Sequence, residues 1–166
     1  METKDWLALF IPIIFNGLLL FLFQQAIIRN NKRAERRNDY QYQTLTHFLD
    51  LLQRFYTAFR AIQAVDTTVS GKQITFADAW NPAAELMQQL VVYYDTHPVA
   101  LKKVETQFQR CKEQWTNIAS QLLQIRKNEG GKFTQEATEQ FNKEYEIMDI
   151  LVRECLKQCE TQIIKM

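Results

Sequence analysis

The stretch Trp6–Ile28, WLALFIPIIFNGLLLFLFQQAII, decides how the rest of the chain is read. From Trp6 to Phe23 no residue is charged, and Asn16 is the one polar side chain. At about 1.5 Å per residue those positions reach roughly 27 Å, close to the thickness of a hydrocarbon core. The stretch is expected to be a single transmembrane helix. Its flanks are unequal. Lys4 precedes it with Glu2 and Asp5, whereas Arg29, Lys32, Arg33, Arg36 and Arg37 follow it, opposed only by Glu35. Basic residues next to a span stay on the cytoplasmic side. The expected topology is therefore single-pass, with the N-terminus outside and the following domain in the cytoplasm.

A cleaved signal peptide or an interfacial helix is the competing reading. A signal peptide needs a charged start, an apolar core of about 7–15 residues and small residues before the cut. Here the core is longer, the start is nearly neutral, and FQQAIIRNNKR offers no small-x-small pair. Trp6 sits where an interfacial aromatic belongs. Inside the span Pro12 removes one helical hydrogen bond, and Asn16 lies four residues on along the same face. Gly17 allows close approach beside it. The three suit a self-association seam or a polar constriction; equally, the Asn16 amide can be tolerated on local backbone or a water. The basic run sets orientation, and it can also grip anionic headgroups.

Composition bounds the remainder. The 166 residues carry 20 basic and 19 acidic side chains, a balance that argues against nucleic acid as a partner. Only 4 glycines and 3 prolines are available for turns, while 46% of residues are hydrophobic, which favours long helices around a real core. The three cysteines, an odd number without a disulfide-like framework, suit a reducing compartment.

Four apolar stripes follow. Leu45, Phe48, Leu52, Phe55, Phe59 and Ile62 recur at steps of three and four, widened by Leu49, Leu51 and Tyr56. A loop is expected from Asp66 to Thr75, with Gly71 as the stop. Asn81-Pro82 reads as a cap opening a second helix to about Asp95, with room for a short helical start at Phe76–Trp80. Ala83, Leu86, Leu90 and Tyr93 or Tyr94 should face inward. Thr96-His97-Pro98 is a break, and Pro98 is expected to open a third helix. Its stripe is Leu101, Val104, Phe108, Cys111, Trp115, Ile118, Leu122 and Ile125, ended by Gly130-Gly131. Thr134 should cap a fourth helix, with Phe141, Tyr145, Met148, Val152, Cys155 and Cys159 inward. The expected fold is all-α: one N-terminal transmembrane helix, then an antiparallel four-helix bundle. The expected divisions are 1–28 anchor, 29–39 basic juxtamembrane segment and 40–166 cytoplasmic bundle.

Chemistry is hard to find. Cys155 and Cys159 stand four apart on one face, a possible thiolate pair, but no second Cys or His pair accompanies them. Buried core thiols are the simpler reading. His47 and His97 are isolated in sequence. Gly130-Gly131-Lys132 lacks the earlier glycine and following Ser or Thr of a phosphate loop, and reads as a helix cap. Glu136, Glu139, Glu144 and Glu146 belong to no inward Glu-x-x-His pair, and most are expected on the wet side. Exposed members of Tyr40, Tyr42, Tyr93, Tyr94, Trp80 and Trp115 would mark a protein-binding patch. No catalytic, cofactor or metal residue is assigned. The leading expectation is a non-enzymatic, membrane-anchored interaction or scaffold protein that self-associates or engages another membrane or cytoplasmic protein. The alternatives are a membrane-perturbing or pore-forming effector, and a ligand- or metal-binding bundle.

Overall fold

The computed structural model describes the backbone of residues 3–63, 76–128 and 135–166, and the side chains of 19–62, 78–124, 135–136 and 138–166. These residues form four helices: α1 (Thr3–Gln63), α2 (Phe76–Thr96), α3 (Glu105–Asn128) and α4 (Gln135–Ile164). A short 3-10 turn, Lys102–Val104, leads into α3. No strand occurs among the described residues. The chain divides into two units, Met1–Tyr40 and Gln41–Met166.

In the second unit the apolar stripes close on one another. Leu45, Phe48, Leu52, Phe55, Phe59 and Ile62 are all buried, as the spacing predicts, and so are Leu101, Val104, Phe108, Cys111 and Ile118. The six stripe residues of α4, from Phe141 to Cys159, are buried as well. Ring contacts give the helix directions. Phe48 meets Phe108 at 5.1 Å and Phe55 meets Trp115 at 5.4 Å, so an advance of two turns along α1 matches two turns along α3. α1 and α3 therefore run parallel. Tyr94 meets Phe108 while Trp80 stacks on Trp115 at 4.4 Å, so α2 runs against α3. Phe59 stacks on Tyr145 at 4.2 Å, and Tyr56 bonds Asp149 at 2.9 Å, so α4 runs against α1. The result is an up-down-up-down bundle, the arrangement that short connections between amphipathic helices favour.

Two boundaries differ from expectation. α2 begins at Phe76, not at Pro82, and Pro82 lies inside it. Proline forfeits a hydrogen bond to the carbonyl four residues back, which falls on exposed Asp78. Burial of Ala79 and stacking of Trp80 on Trp115 hold the preceding turn in helical form. Pro98 does not open α3 directly. A turn closed by Leu101 N–H to the His97 carbonyl (3.1 Å), then by Val104 N–H to the Leu101 carbonyl (3.0 Å), intervenes. It lets Leu101 and Val104 reach the core before the helix tightens into α3 at Glu105. Met87 and Leu51 also join the core, and Leu86 is only half-buried. The expected loop features at Asp66–Thr75, Gly130–Lys132 and Thr134 lie outside the described residues, as does the side chain of Ile125.

In the first unit α1 continues as helix through Asn30 and Asn31. Among the described residues no helix is long and apolar enough to cross a membrane. The side chains of residues 1–18, which include most of the apolar stretch, lie outside the described part.

Candidate functional site

In the first unit the described end of the apolar stretch is unusual for a helix facing water. Leu19, Leu20, Phe21, Leu22 and Phe23 are consecutive and all exposed, from 41% for Leu19 to 68% for Phe23. Five consecutive residues at about 100° each go round the whole helix, so this is no stripe awaiting one partner helix. Ile27 and Ile28 are exposed too. Arg29, Lys32, Arg33, Arg36 and Arg37 follow, every one exposed. Pro12, Asn16 and Gly17 lie within α1, with side chains outside the described residues.

In the second unit a groove of about 510 Å³ runs between α1 and α2, lined mainly by His47, Leu51, Glu85, Val92, Tyr93 and Thr96. Tyr93 organises it. Its hydroxyl donates to the Thr44 carbonyl at 3.3 Å, tying α2 to α1. His47 sits 4.8 Å from the Tyr93 ring and His97 stacks on it at 4.2 Å. His97 Nδ1 lies 2.9 Å from the Tyr93 carbonyl and 2.8 Å from the Thr96 hydroxyl. The two histidines, isolated in sequence, thus share one aromatic ring. The Thr96 hydroxyl is engaged with the carbonyls of Val92 and Tyr93 at 3.0 and 2.9 Å. Such an edge of rings and aliphatic carbons suits contact with another protein's side chains.

A polar clamp joins α1 to α4. Asp149 accepts from Tyr56 Oη at 2.9 Å and pairs with Arg153 at 2.7 Å and Arg60 at 3.8 Å. Arg153 Nε in turn donates to Tyr56 Oη at 2.8 Å. The Tyr56 hydrogen bond, with the charges of Tyr56 and Asp149, holds the Arg60 guanidinium above its ordinary pKa. The two guanidiniums share the single Asp149 carboxylate and the Tyr56 hydroxyl, which ties α1 to α4. Glu136, Glu139 and Glu146 are exposed and Glu144 is the half-buried one of the four: its carboxylate accepts from Gln114 at 2.7 Å and Gln140 at 2.9 Å. Gln114 is itself buried, and this bond satisfies it.

The cysteines gather. Cys111 of α3 joins Cys155 and Cys159 of α4, all three free and fully buried. Hydrogen bonding to Cys111 and Cys159, then burial, pushes the Cys155 thiol well above its usual range. A thiol held neutral is a poor nucleophile and a poor metal ligand. Among the described residues no group of His, Cys, Asp and Glu is disposed to hold a metal ion. Trp80 and Trp115 are consumed by their mutual stack and Tyr94 is buried, while Tyr40 and Tyr42 are exposed.

Comparison of the chain with protein-family models, with curated proteins and with solved structures finds no match.

Proposed function

We propose that this protein is a single-pass, membrane-anchored interaction module: an N-terminal helix in the bilayer, and a helical bundle in the cytoplasm that engages a second copy or another protein. One observation carries the reading. Leu19–Phe23 present apolar side chains to every side of the helix. Burying a Leu or Phe side chain is worth about 1.5–3 kcal/mol, so five half-exposed ones in water forfeit roughly 5 kcal/mol. Lipid recovers that on all faces together, which one docked helix does not. The eighteen uncharged or nearly apolar positions Trp6–Phe23 extend the same pattern to the length of a span. The basic run after Ile28 supports placing the bundle in the cytoplasm.

For the bundle, the groove beside Tyr93 is the surface we assign to a protein partner. Val92 at 56% exposure, His47 and the Tyr93 edge supply its contact surface. Among the described residues no buried side-chain polar atom lacks a partner. The test is a reporter fused after Met166 together with cross-linking in intact membranes. A reporter active only in the cytoplasm, and cross-links that Val92→Arg removes, are the expected results. A reporter active outside the cytoplasm overturns the topology, and cross-links indifferent to Val92→Arg overturn the groove.

A further inference from the structure

The five basic residues after the apolar stretch do not ring the helix. At about 100° per residue, Arg29, Lys32, Arg33, Arg36 and Arg37 fall within an arc of about 140°. Asn30, Asn31, Ala34, Glu35, Asn38 and Asp39 lie outside that arc. The geometry is real only if the segment is helical, and α1 runs unbroken through it with all five side chains exposed. Among the described residues none of the five enters a salt bridge. An orientation signal depends on how many basic residues flank the span, not on their facing one way. The one-sidedness therefore asks for a second explanation.

We propose that this stripe binds anionic phospholipid headgroups on one side of the anchor. The inference rests on the membrane reading above. Charge complementarity names the occupant, and continuity with exposed Ile27 and Ile28 places the stripe at the bilayer surface. Depth then grades the contributions. The headgroup zone is roughly 5–7 Å deep on each side of the hydrocarbon. With the hydrocarbon ending at Ile28 and a rise of about 1.5 Å per residue, Arg29 and Lys32 stand about 1.5 and 6 Å out and Arg33 about 7.5 Å, at the edge of that zone, for a helix near the bilayer normal. Arg36 and Arg37 stand about 12–14 Å out, past the Debye length, and act only through the screened potential. Arg29 is closest to the hydrocarbon, and its long stem lets the guanidinium reach outward to a phosphate. Lys32 and Arg33 are the central pair.

The test uses the full chain reconstituted in phosphatidylcholine vesicles, with spin-labelled phosphatidylserine compared against spin-labelled phosphatidylcholine at the protein boundary. Preference for phosphatidylserine on the order of fivefold is expected, weakening as sodium chloride rises. Lys32→Gln with Arg33→Gln should remove most of it, whereas Arg36→Gln with Arg37→Gln should keep most of it. Every variant is also assayed for resistance to a carbonate wash. Chain that stays in the vesicles but shows no lipid preference overturns this inference and leaves the anchor standing. Equal losses from the two double variants overturn the depth grading and the direct contacts with it. Displacement by inorganic phosphate beyond the effect of matched ionic strength assigns the site to free phosphate and also overturns it. Chain washed off by carbonate overturns the membrane reading itself.

Discussion

Phe59→Ala is the sharpest perturbation of the bundle. The Phe59 side chain is fully buried and touches three other rings: Tyr145 at 4.2 Å, Phe55 at 5.8 Å and Trp115 at 6.4 Å. Three helices meet there. Truncating a buried phenylalanine costs about 3–5 kcal/mol, the lost transfer energy plus the cavity left behind. The Tyr145 stack places Phe59 in the upper half of that range, since a ring pair adds about 0.5–1.5 kcal/mol beyond area. Total stability for a domain of this size is about 5–15 kcal/mol, so the variant should survive but sit near its threshold. At roughly 4 °C per kcal/mol, the melting temperature should fall by about 16–20 °C. The assay is thermal unfolding of the full chain in detergent, followed by far-UV circular dichroism. Ile147→Ala, on an exposed residue of α4, is the control and should cost under about 0.5 kcal/mol. A Phe59→Ala shift no larger than that of the control would refute the aromatic core as described.

Three further outcomes follow from the same contacts. Burial lifts the Tyr145 phenol to about 12, and burial lifts Tyr94 in the same direction. The unfolded chain releases the phenolic proton near 10, so between about pH 10 and 12 it binds fewer protons than the folded chain. Stability is thus fully present below pH 10 and declines toward pH 12, by roughly 1–2 kcal/mol for Tyr145, measurable as a falling denaturation midpoint. Asp149→Asn, at a carboxylate only 18% exposed, leaves Arg60 and Arg153 without their anion; a loss of about 1–2 kcal/mol that shrinks in high salt is expected from urea titrations. Cys111, Cys155 and Cys159 should resist a soluble thiol reagent in the folded chain and all react in denaturant; fast labelling of the native protein contradicts their burial.

The bundle was legible because its stripes are dense and keep their step. In α1 and α4 every stripe position from Leu45 to Ile62 and from Phe141 to Cys159 is buried. Local punctuation was less trustworthy. Asn81-Pro82 has the form of a helix start, but the Trp80–Trp115 stack lies far apart in sequence and overrides it. Pro98 likewise opens a turn, because Leu101 and Val104 need that geometry to reach the core. The groove was not legible at all. Tyr93 and His97 are neighbours at the end of α2, but His47 belongs to a separate segment until α2 folds back on α1, and no periodic pattern marks a histidine that packs on a tyrosine. The same holds for Cys111, whose approach to Cys155 is a consequence of α3–α4 pairing. That Glu144 is the half-buried glutamate of the four was not legible either, because the glutamines that hold it come mostly from the neighbouring helix.

The central claim is that Trp6–Ile28 lies in lipid, and carbonate extraction of membranes carrying the full chain tests it most directly. The account predicts that the protein stays in the pellet after the alkaline wash and is released only by detergent. Recovery in the alkaline supernatant would contradict it.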